Sequence, residues 1–223
     1  MANVIAIDGP SGAGKSSVSR LVGEKLGYLH VDSGALYRII TWQCLERQVD
    51  TDDPQAVADA AGKIEIECRP ESGRIVYYVG GEEPGERIRT PQINAHASKV
   101  ATVKAVRDRI TDLLRSLVEY GNLVVEGRDI TTAVYPDSPA RFYLTASAEA
   151  RARRRQLEEV QKGIANQSTE AVKASLLQRD QIDSTRQHAP LRKADGALEI
   201  DSSEMTLEEV VAAVVNALPD GWK

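Results

Sequence analysis

Gly9-Pro10-Ser11-Gly12-Ala13-Gly14-Lys15-Ser16 lies between an apolar tetrapeptide, Val4-Ile5-Ala6-Ile7, and a segment in which Val18, Leu21, Val22 and Leu26 recur at helical spacing. The order reads as strand, glycine loop, helix, with the helix over Ser16 to Leu26, and the loop fills every fixed position of G-x-x-x-x-G-K-[ST]. Gly9, Gly12 and Gly14 let the backbone approach an anion with successive N–H groups turned inward, and the helix N-terminus adds positive partial charge. Lys15 supplies an ammonium worth roughly 4 kcal/mol to a phosphate oxygen at about 4 Å and an effective dielectric near 20. Ser16 offers a hydroxyl to Mg²⁺ bridging β- and γ-phosphates. The pattern implies a bound nucleoside triphosphate; a chance glycine turn would not explain the Lys-Ser pair or the flanking strand and helix.

Outward from this unit, strand-like runs alternate with helical ones. Leu29-His30-Val31, Leu123-Val124-Val125, Arg141-Phe142-Tyr143-Leu144 and Leu198-Glu199-Ile200 join Val4 to Ile7, which predicts an α/β protein with a parallel sheet. Between the second and third runs the pattern changes. Asp53-Pro54 opens a short helix, Ile64 to Cys68 alternates apolar and charged residues, Pro70 to Gly73 reads as a turn, and Ile75 to Val79 follows, giving a small antiparallel β insertion. Gly163 to Thr169 interrupts two helical patterns directly after an arginine cluster; it reads either as a plain connection or as a lid closing over phosphates, and the neighbouring arginines favour the lid.

The chain has 223 residues, 42% of them hydrophobic, enough for one large domain or a domain with an insertion. No run is long enough to span a membrane and no basic leader precedes Asp8, so a cytoplasmic protein is expected. A net charge of -5 argues against a nucleic-acid polymer as partner. Cys44 and Cys68 stand alone, and His30, His96 and His188 have no metal-ligand spacing.

Positive charge is concentrated locally. On a helix Arg151, Arg154 and Arg155 share a face while Arg153 points elsewhere; this is either a solvated basic face or a clamp for a transferring group. Arg179, Asp183 and Arg186 form one stripe of a helix running from Thr169 to about Thr185, which suits a surface ion network or a sugar-phosphate receptor equally. Asp32-Ser33-Gly34, followed by Tyr37 and Arg38, and Glu126-Gly127-Arg128-Asp129 each follow a predicted strand, where open parallel sheets bind ligands; helix caps and turns are the plainer reading.

Taken in order, the phosphate loop from Gly9 to Ser17, Asp32 to Arg38, Val125 to Ile130, Tyr135-Pro136-Asp137, Thr145-Ala146-Ser147, Arg154-Arg155 and Arg179-Asp180 through Asp183 to Arg186 resemble the bacterial cytidylate kinases nearly end to end. The β insertion between about 63 and 90 resembles that family's enlarged nucleoside-monophosphate domain. The resemblance implies a P-loop nucleoside monophosphate kinase fold with a central five-stranded parallel sheet flanked by helices, a β insertion and a helical lid. It divides the chain into a core (1–40, 101–150 and 187–223), an acceptor-binding insertion (about 41–100) and a lid region (about 151–186). It implies transfer of the γ-phosphoryl group of ATP to CMP or dCMP, with Mg²⁺, by a monomer acting on small molecules. By matching position, Gly9, Pro10, Ser11, Gly12, Ala13, Gly14, Lys15, Ser16 and Ser17 would hold ATP, with Ser16 at the metal. Ser33, Arg38, Arg128 and Arg186 would grip the acceptor phosphate beside Gly127, and Arg179 with Asp183 the sugar. Ser98, Arg107 and Asp129 would read the cytosine edge. Arg154 and Arg155 would close with the lid, and the catalytic set would be Lys15, Arg128, Arg154, Arg155 and Arg186.

Two departures from the family pattern stand out. Thr131 occupies a position where glycine is common, so a left-handed backbone there would carry a cost, and Ser17 follows Ser16 where some relatives have Lys-Gly-Thr. The near alternative is another small-molecule P-loop kinase, for UMP, shikimate or a coenzyme A precursor; the β insertion, Ser98 and Arg107 argue against it. A GTP-dependent switch would need an Asn-Lys-x-Asp segment, which the sequence lacks. A non-catalytic ATP-binding module would leave the acceptor-side arginines without a task.

Overall fold

The computed structural model describes residues 2–161 and 168–222. Five strands of the sheet run parallel: β1 (Val4–Asp8), β2 (Leu29–Asp32), β5 (Leu123–Gly127), β6 (Ala140–Thr145) and β7 (Leu198–Asp201), in the spatial order β2-β5-β1-β6-β7. β1 lies at the centre, with Val4 opposite Leu123 and Ile5 opposite Ala140, and is buried along its whole length. A strand covered on both faces needs apolar residues at every position, which is why Val4-Ile5-Ala6-Ile7 is a continuous run.

The two-residue period divides these strands between two cores. Val4, Ala6, Leu123 and Val125 pack with α2 (Ser33–Glu46), α3 (Pro54–Gly62) and α5 (Lys104–Ser116). Ile5, Ile7, Val124 and Phe142 face the other way, onto α1 (Lys15–Leu26) and α8 (Leu207–Asn216). Cys44 and Cys68, both free thiols, lie within the first core. Among the described residues no helix is long and apolar enough to cross a membrane.

The sheet has seven strands, not the expected five. The hairpin of β3 (Glu67–Glu71) and β4 (Arg74–Tyr78) is antiparallel as expected, yet β4 lies parallel to β2 with Arg74 opposite His30, so the hairpin extends the main sheet. Its turn is only Ser72-Gly73, at φ 48° and 78°, the two left-handed residues a tight hairpin requires. Pro70 belongs to β3 rather than to the turn, and this is an outermost strand, where a missing N–H is tolerated. The expected strand over Ile64 to Cys68 begins only at Glu67: Ile64 is buried in the core just after α3, and its carbonyl accepts from Arg109.

The helices begin where local chemistry starts them. Asp53 caps α3 through Gln55 N and Ala56 N, with Pro54 at its first turn. α4 (Pro91–Val100) is capped by Thr90, and α7 (Thr169–Thr185) by Ser168. α7 spans the residues expected of it, and α6 (Ala148–Gln161) carries the arginine cluster. The stretch expected to form a lid loop, Gly163 to Thr169, falls mostly outside the described residues. The parallel strands β1, β2, β5 and β6 end on one edge, at Asp8, Asp32, Gly127 and Thr145, where an open parallel sheet binds its ligands.

Candidate active site

The loop after β1 bends sharply at Gly9, Gly12 and Gly14, with φ of 153°, 78° and 90°. At Gly9 glycine is required by contact as well as conformation, since a Cβ there would lie 1.9 Å from the carbonyl oxygen of Leu144. α1 starts at Lys15 with no side chain capping it and no acidic residue in its first turn. Its end is left to the backbone, the arrangement that receives an anion. Lys15 is 5% exposed and its Nζ donates to the carbonyls of Gly9 and Pro10, both at 2.8 Å. Burial, and secondarily the charge of Arg128, bring its pKa down to about 7, against the opposing pull of Glu126 and Asp8. A phosphate at this point would supply the counter-charge that Lys15 lacks.

Ser16 and Ser17 are exposed at the start of α1. Among the described residues no group of three acidic, His or Cys side chains could hold a metal ion alone. An exposed hydroxyl beside a phosphate cradle suits Mg²⁺, which keeps several waters and takes most of its protein-side charge from substrate phosphates. The residues therefore fit a metal that arrives with the nucleotide.

Opposite the loop, a cleft of about 380 Å³ reaches from Lys15 and Ser16 to α4 and α7. α2 opens on it with Asp32 as cap, accepting from Ala35 N at 3.1 Å while its other oxygen binds Arg38 at 2.7 Å and Arg89 at 3.4 Å. Ser33 lines the cleft and donates to the carbonyl of Glu126 at 2.6 Å, joining the ends of β2 and β5. Gly127 is closely hemmed in: a Cβ would come within 2.6 Å of Ser33 Oγ and 2.7 Å of Ile130, so those side chains would have to shift.

An alternating chain of charges forms the far wall. Arg128 Nε donates to Asp183 at 2.9 Å, Asp183 faces Arg186 at 3.7 Å, Arg186 reaches Asp129 at 3.4 Å, and Asp129 pairs with Arg107. Asp183, Arg186, Asp129 and Arg107 are all buried, and pairing of this kind makes burial of so much charge tolerable. Arg107, on α5, also donates to Ala101 O at 3.0 Å and stands behind the cleft rather than on its surface; Ser98 of α4 is on the surface, 6% exposed.

Two arginines in the cleft each keep one nitrogen without a protein partner among the described residues. The Nε atoms of Arg38 and Arg179 are buried, and neither has a hydrogen-bond partner among the described residues. Burial, then Arg128, pull the Arg179 pKa down to about 10. Unpaired buried donors of this kind are costly unless an anion completes them.

The arginines of α6 go to separate destinations. Arg155 lines the cleft and is held by Glu159 at 3.0 Å and Glu158 at 3.4 Å. Arg154 donates to Ser202 Oγ at 3.0 Å and to the Ser202 carbonyl, which ties α6 to the end of β7. Arg151 is buried under the phosphate loop. Gly9, Pro10 and Ala13 shape the loop from outside the cleft lining, whereas Ser11, Gly12 and Gly14 are part of it.

Sequence reasoning missed Asp8, which is fully buried and accepts from Ile130 N at 2.8 Å, Thr131 N at 2.7 Å and Thr131 Oγ1 at 2.6 Å. It ties the end of β1, where the phosphate loop begins, to the turn bearing Asp129. Thr131 is not among the residues with positive φ, so the expected left-handed cost does not arise, and its hydroxyl gains a partner. The available signal was a lone carboxylate closing a four-residue apolar run, where only a hydrogen-bonded acid survives.

A family model described as cytidylate kinase matches residues 5–220. The cytidylate kinases of Bacillus cereus (strain ATCC 10987 / NRS 248) and Bacillus thuringiensis (strain Al Hakam) are each 39% identical to this chain, over 212 and 211 residues. The matches cover 95% of this chain and 94% and 93% of theirs. An uncharacterized protein from Eubacterium ventriosum ATCC 27560 superposes over 96% of both chains with a TM-score of 0.52 at 10% identity, a likeness of fold alone. With the family model spanning nearly the whole chain and relatives this similar along their full length, the chain belongs to the cytidylate kinase family.

Proposed function

We propose that this cleft transfers the γ-phosphoryl group of ATP to CMP or dCMP, giving ADP and CDP or dCDP, with the phosphate loop as donor site and the charged wall opposite as acceptor site. The observation that carries the reading is the pair of buried, unpartnered Nε atoms of Arg38 and Arg179, on α2 and α7, which share one cleft with Lys15. A buried donor left open on each of two guanidinium groups, across from a phosphate cradle, suits a second phosphorylated substrate.

The chain's own residues do little covalent work. Phosphoryl transfer of this kind calls for two anions held in line, dried and neutralised. Lys15 and the uncapped start of α1 neutralise the donor phosphates, and Ser16 would help the nucleotide hold Mg²⁺, which would add positive charge to those phosphates. Arg38, Arg128 and Arg186 neutralise the acceptor phosphate, Arg179 and Asp183 orient the sugar, and Ser98 and Asp129 face the base edge, with Arg107 acting on it from behind through Asp129. Arg155 borders the transferring group from α6, and Arg154 steadies that helix through Ser202. The division into a core, an acceptor-binding insertion over about 41–100 and a lid region over about 151–186 belongs to the same reading, as does a monomer acting in the cytoplasm. Free, buried Cys44 and Cys68 are consistent with a reducing compartment.

The test is ADP release with Mg²⁺-ATP and, in turn, CMP, dCMP, UMP, AMP and shikimate. Release with CMP or dCMP well above the others is expected; absence of any CMP-dependent release would overturn the reading.

A further inference from the structure

α7 presents Arg179 and Asp183 to the acceptor side of the cleft, and the residue after Arg179 turns another way. Asp180 does not line the cleft. One of its oxygens accepts from the backbone N–H of Ser11 at 3.0 Å, and the other pairs with Arg151. Arg151, from α6 and 6% exposed, also donates to the carbonyl of Ser11 at 2.9 Å and to Ala146 O at 3.1 Å. Both polar backbone groups of one phosphate-loop residue are thus held by side chains, the N–H from α7 and the C=O from α6. Arg151 lies tight beneath the loop, since a Cβ on Gly12 would stand 3.2 Å from Arg151 Cβ. The bonds are charge-assisted and largely sheltered, with side-chain exposures of 7% for Arg151 and 17% for Asp180.

This junction has no part in the chemistry derived above, and it joins the two halves of the site by a route separate from the sheet. Resting on the two-substrate reading, we propose that Asp180 is a positioning residue: with Arg151 it latches the acceptor-side helix to Ser11 of the phosphate loop, so that ATP and the acceptor nucleotide strengthen each other's binding. A nucleotide on Arg179 and Asp183 restrains α7, and through Asp180 it restrains the shape of the loop. A triphosphate in the loop restrains α7 by the same bonds. Coupling of this kind is reciprocal, and it disappears when the link is cut even if each pocket stays intact.

The experiment is calorimetric titration of the full-length protein with CMP, alone and with a saturating non-hydrolysable Mg²⁺-ATP analogue, for the wild type, Asp180→Asn and Arg151→Lys. Asparagine keeps the shape and an oxygen for Ser11 N–H but loses the charge that holds Arg151. Lysine keeps the charge of Arg151 but cannot reach Asp180, Ser11 and Ala146 at once. The wild type is expected to bind CMP about tenfold more tightly with the analogue present, and both variants by a factor within about twofold of one. A variant that keeps the full factor, or a wild type without one, overturns the latch. If Asp180→Asn does not fold, Arg151→Lys decides the question by the same ratio, which a merely structural loss of stability would leave in place. Failure of the wild type to bind CMP at all would instead count against the kinase reading.

Discussion

Lys15 is folded into a place that disfavours its charge. Its pKa of about 7 lies below the ordinary 10.5, so between these values the unfolded chain holds a proton that the folded chain lacks. The free protein therefore gains stability as pH rises from about 7 towards 10.5, and below that window the full penalty is present. Bound phosphate reverses the balance by supplying the missing counter-charge. ATP binding near pH 8.5 is expected to take up close to one proton, read as a dependence of the calorimetric heat on buffer ionisation enthalpy, and Lys15→Ala is expected to abolish the uptake; binding with the same heat in every buffer would contradict the assignment. Thr131 carries a second expectation at this scale. Burial raises the pKa of Asp8 to about 6, and the hydroxyl and amide of Thr131 act against that rise. Thr131→Val removes a donor to the charged form, so it is expected to cost about 1–3 kcal/mol of unfolding free energy at pH 8. The loss should be smaller at pH 5, where Asp8 is largely protonated, and urea unfolding at the two pH values checks it.

At the scale of elements, α7 organises the charged wall of the cleft. Asp183 stands between Arg128 and Arg186, so Asp183→Ala leaves two guanidinium groups facing each other without their carboxylate. The KM for CMP is expected to rise by roughly tenfold or more, in line with about 1.5–3 kcal/mol for a hydrogen bond to a charged group, with a much smaller change in the KM for ATP. Equal loss for both substrates in steady-state kinetics would count against the sugar assignment. The spacing of four and three residues placed Arg179, Asp183 and Arg186 on one helical stripe; α7 does span Thr169–Thr185, but Arg186 follows it in extended conformation and reaches the wall from beyond the helix end. Its partners were not visible. Periodicity says which residues share a face of one helix and nothing about which other element meets that face, so Arg128 to Asp183 and Arg107 to Asp129 emerge only from the packing. The α6 arginines make the same point: Arg151, Arg154 and Arg155 lie on neighbouring turns, yet one goes to the phosphate loop, one to Ser202 and one to the cleft. The β hairpin was read as an insertion because local alternation reveals a hairpin but not the single parallel bridge at His30 and Arg74 that adds it to the sheet.

At the scale of the molecule, the alternation along β1 and β5 makes one sheet the floor of two cores. Ala6 and Val125 belong to the core under the acceptor side, while Ile5, Ile7 and Val124 belong to the core under α1 and α8. Neither core can lose its helices without exposing one face of strands whose other face is still buried, so donor and acceptor halves should melt together. A single calorimetric transition is expected, and a ligand for either half should move all of it. ADP at a hundred times its dissociation constant adds about 2.7 kcal/mol, which for a chain of this length is a rise of roughly 5–10 °C in Tm. CMP at a matching excess should shift the same transition by a comparable amount, although its contacts lie on the opposite side of the cleft. Two resolved transitions, with ADP moving one and CMP the other, would mean that the cores fold apart and that the shared strands do not couple them.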